Sequence, residues 1–130
     1  INEISEVLLN NNIEVIIISN TSDSTRDNLN NIQRYQKGGL SGKPIAEKST
    51  KLINKFYRIL RGRIKIIGVG GVNSGKGAYE KFLAGANFVQ LYTGMVFRGP
   101  NIVYMIKKEL KELLLKDGVK NFTEIIGKKR

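Results

Sequence analysis

The chain has 130 residues, enough for one domain with a real core, and carries 22 Lys and Arg against 11 Asp and Glu, a formal net charge of +11. It contains neither cysteine nor histidine, which excludes a disulfide framework, thiolate chemistry, a catalytic imidazole and a zinc site of the usual kind. No apolar run approaches the ~20 residues of a membrane-spanning helix, and the charge points to an anionic partner, nucleic acid or a membrane surface, unless it is spread over solvated faces.

Residues 1–9 read as an amphipathic helix with Ile1, Ile4 and Leu8 on one face, broken by Asn10 to Asn12. It begins without a cap or a signal peptide, so the sequence reads as though it starts in the middle of a longer fold. Residues 14–19, EVIIIS, are β-branched and apolar on both faces, which predicts a strand covered by helices on one side and core on the other. It runs into Ser19, Asn20 and Thr21. Ligands of parallel α/β sheets bind at that end of the strands, although the same residues could be satisfying loop backbone.

Residues 22–37 are polar, Asn-rich and without periodicity, and a loop of that length is usually functional or disordered. At 38–44, GGLSGKP, glycines and a proline surround Ser41, which suits either a backbone approach to a ligand or a plain turn. Ser49 is the predicted cap of a helix over 50–60, with Leu52, Ile53, Phe56, Ile59 and Leu60 on one face and Gly62 as its stop. Basic residues of the helical stretches, such as Lys51, Lys55, Arg58, Lys107 and Lys111, leave the apolar faces intact, as on a solvated basic surface.

The most informative stretch is 65–77, KIIGVGGVNSGKG, in which an apolar strand runs into Gly70 and Gly71, a polar turn and a helix over 75–84. Ser74 is its predicted N-cap and Gly85 its stop. Free backbone N–H groups there, with the helix dipole, make a phosphate cradle, or the stretch is only a tight connection. GGVNSGKG at 70–77 also matches the P-loop pattern except at the last position, where Gly77 replaces the metal-binding hydroxyl. No other strand ends in the acidic residue that a nucleotide-bound metal wants.

A third strand is predicted at 88–93, FVQLYT, closing with Tyr92, Thr93 and Gly94. Pro100 precedes a helix over 101–116 whose apolar positions Ile102, Val103, Ile106, Leu110, Leu113 and Leu114 keep the helical period, with Gly118 as its stop. Asn121 and Glu124 predict a capped last turn, followed by a basic tail at 127–130. Three strands, each followed by a helix and each with polar or glycine residues at its C-terminal end, are βαβ units. Alone they would leave unpaired edges. A (β/α)8 barrel takes about 250 residues and binds phosphate after its last two strands, so the expected fold is α/β, about the last three βα units of such a barrel.

ISNT at 18–21, GGLSGKPI at 38–45, IIGVGGVNSG at 66–75, AGANFVQLYTG at 84–94, and the terminal IKKELKELL and EIIGKK together resemble the dihydroorotate dehydrogenase family, with the terminal helix and tail pointing to its quinone-linked, membrane-associated class. The resemblance covers essentially the whole chain and tells against nucleotide hydrolysis. It implies FMN as cofactor, dihydroorotate oxidised to orotate in pyrimidine biosynthesis, and a quinone as electron acceptor. By matching positions it implies that Ser19, Ser41 and Gly42 contact the flavin, and that Gly70, Gly71, Tyr92 and Thr93 hold the FMN phosphate largely through backbone. Asn20 and Thr21 would bond the orotate, and Tyr92, Met95, Val96 and Pro100 would border a quinone tunnel. Ser19 departs from the threonine of many members but keeps the hydroxyl.

The family's catalytic serine, a flavin-contacting lysine and the N-terminal membrane helices would all precede Ile1. The resemblance therefore implies that residues 1–130 are the C-terminal half of one FMN-binding barrel, active only with the N-terminal part, at a mitochondrial or bacterial inner membrane and without a nucleic-acid partner. The alternative is a non-catalytic basic module that binds phosphate or nucleic acid, though it predicts a basic aromatic surface that the sequence does not offer.

Overall fold

The computed structural model describes residues 1–23, 26 and 29–128. Ser24, Thr25, Asp27 and Asn28 of the Asn-rich stretch, and Lys129 and Arg130 of the predicted basic tail, lie outside the described residues. The elements in chain order are α1 (Asn2–Asn10), β1 (Val15–Ile18), α2 (Ala46–Leu60), β2 (Lys65–Val69), α3 (Gly75–Ala84), β3 (Phe88–Gln90), α4 (Thr93–Arg98) and α5 (Ile102–Lys116), with 3-10 turns at Ile32–Tyr35, Lys43–Ile45 and Phe122–Ile125.

The three strands form one parallel sheet in the order β1-β2-β3. One face is buried by helices: Ile18 and Ile66 pack with Ile53, Phe56 and Leu60 of α2 and with Ala84 and Ala86. Gly68 is what lets α2 and the connection after α3 come this close, because a Cβ there would stand 2.8 Å from Ile53 Cδ1 and 3.1 Å from Ala86 Cβ. A second cluster joins α3 to α5 and the C-terminal turn through Val72, Ala78, Phe82, Ile102, Ile106 and Ile125.

The sheet's other face is open, which departs from the expectation of a strand buried on both sides. Ile17, Ile67 and Phe88 lie side by side in register across the three strands, and Ile17 and Phe88 are 58% and 57% exposed. Alternation along the strands puts this apolar row on the side away from the helices, where the interior of a closed barrel would be.

Two predicted boundaries move. α2 begins at Ala46, not at residue 50, because Pro44 opens a 3-10 turn that feeds straight into it. Ser49 is therefore no cap: it is buried within the helix, and its Oγ donates to the Val69 carbonyl at 2.5 Å. β3 ends at Gln90, and Thr93 already belongs to the short helix α4. Lys51, Lys55, Arg58, Lys107 and Lys111 are exposed as expected, and the ion pairs Lys51–Glu47 and Lys76–Glu80 are solvated i,i+4 pairs of little energetic weight. The last turn carries the predicted reciprocal cap, with Asn121 Oδ1 accepting from Thr123 N and Glu124 Oε1 from Asn121 N.

Candidate functional site

All three strands point their C-terminal ends at one cavity of about 690 Å³, within the usual size range of small-molecule sites. β1 contributes Ser19, Asn20 and Thr21 to its wall, and the glycine turn after β2 contributes Gly70 and Gly71. The segment after β3 adds Leu91, Tyr92, Thr93 and Gly94, and the stretch before α2 adds Ser41 and Gly42. Nine residues singled out from the sequence thus meet around one space.

Local contacts fix this wall. Gly70 and Gly71 have φ of +113° and +75°, a conformation that L side chains rarely adopt. A Cβ on Gly71 would stand 2.4 Å from Ala46 Cβ, and one on Gly70 would be 3.0 Å from Ser49 Cβ, so the turn is bare backbone pressed against the first turn of α2. Thr93 Oγ1 donates to Ser41 Oγ at 3.0 Å, and a Cβ on Gly42 would meet Thr93 Cγ2 at 2.9 Å. These contacts tie the loop before α2 to the start of α4. Gly39 is likewise closed off by Thr21, and the antiparallel bridge between Ser22 and Leu40 clamps the two ends of the intervening loop. Within that loop the Arg26 guanidinium donates to the carbonyls of Arg34, Gln36 and Gly38.

Of the phosphate cradle expected at the glycine turn and the start of α3, the α3 end has two of its N–H groups already taken. Gly75 N–H donates to Glu109 Oε2 at 2.6 Å, and Gly77 N–H donates to Ser74 Oγ at 3.1 Å. The N-terminus of α3 is thus filled by a carboxylate from α5, which would repel a phosphate and which also rules out a P-loop wrapped over 70–77. The donors on the cavity side are the Gly70–Gly71 backbone and the start of α4 at Thr93 and Gly94, whose N–H groups precede the first intrahelical bond, from Met95 N to the Tyr92 carbonyl. A glycine turn paired with a short extra helix is the arrangement that barrel phosphate sites use.

Met95, Val96 and Pro100 are exposed and outside the cavity wall, whereas Phe97 and Arg98 line it. Sequence reasoning missed both because it did not foresee α4. Once residues 93–98 are helical, Thr93 and Gly94 share a face with the residues four positions on. Arg98 Nη1 donates to the Asn73 carbonyl at 2.8 Å and so bridges α4 to the glycine turn. Lys43, Pro44 and Asn73 also line the cavity. Among the described residues there is no cluster of carboxylates that could hold a metal, and no helix long and apolar enough to cross a membrane.

The family model described as dihydroorotate dehydrogenase matches residues 1–114. The chain belongs to the dihydroorotate dehydrogenase family. It is 46% identical over 112 residues to the dihydroorotate dehydrogenase (quinone) of Deinococcus radiodurans, covering 86% of this chain and 30% of that protein. To the mitochondrial dihydroorotate dehydrogenase (quinone) of Mus musculus it is 45% identical over 125 residues, covering 96% of this chain and 32% of that protein. The crystal structure of the Eimeria tenella dihydroorotate dehydrogenase in complex with ferulenol superimposes with a TM-score of 0.94 at 34% identity, over 98% of this chain and 34% of that one. The chain therefore spans about a third of the length of these relatives. Its fold is a three-unit portion of the family's (β/α)8 barrel.

Proposed function

We propose that residues 1–130 form the C-terminal portion of a single FMN-binding barrel that oxidises dihydroorotate to orotate and delivers the electrons to a quinone, in pyrimidine biosynthesis. The observation that carries this reading is the convergence of Ser19, Asn20, Thr21, Ser41, Gly42, Gly70, Gly71, Tyr92 and Thr93 on one cavity, in a chain of this family.

The residues fit FMN at the one place where the ligand's chemistry is most demanding. The bare backbone of Gly70 and Gly71, with the first turn of α4 at Tyr92 and Thr93, offers N–H donors without side chains in the way, as a phosphate dianion requires. Ser19, Ser41 and Gly42 lie along the same wall, at the flavin ring. Asn20 and Thr21, both exposed in this chain, carry the amide and hydroxyl that hydrogen-bond the planar, polar pyrimidine. Fixing its orientation is their contribution to rate. When bound, FMN supplies the acceptor for the hydride that leaves dihydroorotate and the route for electrons to the quinone. The proton that leaves with the hydride goes to a base on the N-terminal part of the barrel, a serine by resemblance to the family, and that part also covers the open face at Ile17, Ile67 and Phe88.

Tyr92, Met95, Val96 and Pro100 form the exposed apolar side of α4 and the residues beside it, suited to a quinone that arrives from a membrane. The exposed lysines suit an anionic membrane surface, at the mitochondrial inner membrane or its bacterial counterpart.

The test is made on the complete protein, this chain together with the N-terminal part. Denaturation should release FMN, identified by mass, and anaerobic dihydroorotate should bleach the visible absorbance of the bound flavin. Release of no flavin, or a flavin that dihydroorotate leaves oxidised, would overturn the proposal.

A further inference from the structure

Lys81 is the buried exception among basic residues otherwise set on the surface. It is 1% exposed and the largest of the fully buried side chains, on the inward face of α3 between Ala78 and Phe82. Its stem runs over β2 at Gly68, where a Cβ would meet Lys81 Cδ at 3.4 Å. Its Nζ donates to the Ala46 carbonyl at 3.0 Å and to Thr50 Oγ1 at 2.8 Å, and Thr50 Oγ1 donates to the same carbonyl at 2.8 Å. A buried amine is retained only where such acceptors replace water.

The acceptors lie at the start of α2, Ala46 in its first turn and Thr50 one turn on, and that first turn is the back wall of the glycine turn. Ala46 holds the position that a Cβ of Gly71 would need, and Ser49 abuts Gly70 while donating to the Val69 carbonyl just before it. Lys81 is not part of the cavity wall, so it reaches a ligand only indirectly, and Ala46, which it bonds and which abuts Gly71, offers such a route. Backbone N–H groups bind an anion well only when they are held in place beforehand, since ordering them on binding consumes affinity.

We propose that Lys81 is a positioning residue of the phosphate site: by fastening the first turn of α2 to α3 it fixes the Gly70–Gly71 backbone that receives the phosphate group. This rests on the FMN reading above and adds to it a residue that touches neither flavin nor substrate.

The test compares FMN with riboflavin, which has the same ring system and no phosphate, by titrating the flavin-free form of the complete protein and recording its thermal midpoint. In Lys81→Met the affinity for FMN should fall at least tenfold while that for riboflavin stays within twofold. Thr50→Val, which keeps the lysine and the side-chain shape but removes the Oγ1 acceptor, should shift the preference in the same direction by about threefold, roughly the 0.65 kcal/mol of a weak hydrogen bond. A parallel loss for both ligands would mean a general structural role and overturn the inference, as would an unchanged FMN preference. If Lys81→Met does not fold, an unchanged preference in Thr50→Val overturns it alone. A wild-type protein that binds FMN no better than riboflavin would instead bring down the phosphate-site reading itself.

Discussion

Glu109, midway along α5, accepts the N–H of Gly75, the first residue of α3, at 2.6 Å, so one helix caps another 34 residues away in sequence. Gly75 is buried and has no room for a side chain: a Cβ there would stand 2.3 Å from Glu109 Cβ and 2.6 Å from the Leu110 nitrogen. Glu109→Ala leaves a buried donor unpaired and should cost about 1–3 kcal/mol of stability. Gly75→Ala drives a methyl into the backbone of α5 and should cost a similar amount or more. Urea denaturation of the complete protein reads both, and an unshifted midpoint in Glu109→Ala would remove the capping role.

Not every glycine with positive φ matters equally. Gly71 and Gly118 have φ of +75° and +68°, but a Cβ on Gly118 meets nothing within 4 Å, whereas one on Gly71 meets Ala46 at 2.4 Å. Gly118→Ala should therefore cost only the left-handed backbone penalty of about 1–2 kcal/mol and leave flavin content unchanged. Gly71→Ala should cost about 1–3 kcal/mol more through overpacking and lose bound FMN. Equal flavin content in the two variants would contradict the assignment of the glycine turn to the phosphate.

The Tyr79 hydroxyl donates to Asp117 Oδ2, linking α3 to the end of α5. That hydrogen bond first, then burial, then the negative charge of Asp117, hold the Tyr79 pKa above its ordinary value of 10.0. A pKa raised on folding stabilises the neutral phenol, so the contribution is full below pH 10 and is lost as the pH rises through the higher folded value. Stability measured from pH 8 to 11 should fall on the alkaline side in the wild type and fall less in Tyr79→Phe. The same alkaline slope in both proteins would mean that other groups carry it.

Substrate and acceptor functions should separate by residue. Asn20→Ala removes an amide from the cavity wall without touching the glycine turn, and it should raise the KM for dihydroorotate at least tenfold with FMN content unchanged. Val96 is 68% exposed on α4 and outside the cavity wall. Val96→Asp should depress turnover with quinone but not with a water-soluble dye as acceptor. A loss with both acceptors would place the defect in the flavin site instead.

The kinds and order of most elements were legible in the sequence because they rest on short-range physics. β-branched runs made strands, the 3.6-residue spacing of Ile53, Phe56 and Leu60 and of Ile102 and Ile106 made the buried helix faces, and glycines with positive φ marked Gly70–Gly71 and Gly85. The stretches that hold nine of the candidate site residues stood out for the same reason, as strand ends and glycine turns of a parallel sheet, while their choice over plain turn chemistry came from the resemblance to the family. Tertiary structure decided what residues distant in sequence do to one another. It turned Ser49 from an expected cap into a buried donor to Val69, and it filled the start of α3 with Glu109, so that the backbone facing the cavity is that of the glycine turn and the start of α4. It also buried Lys81 against Ala46, 35 positions away, because the price of burying an amine is settled only by which carbonyl the fold brings to it.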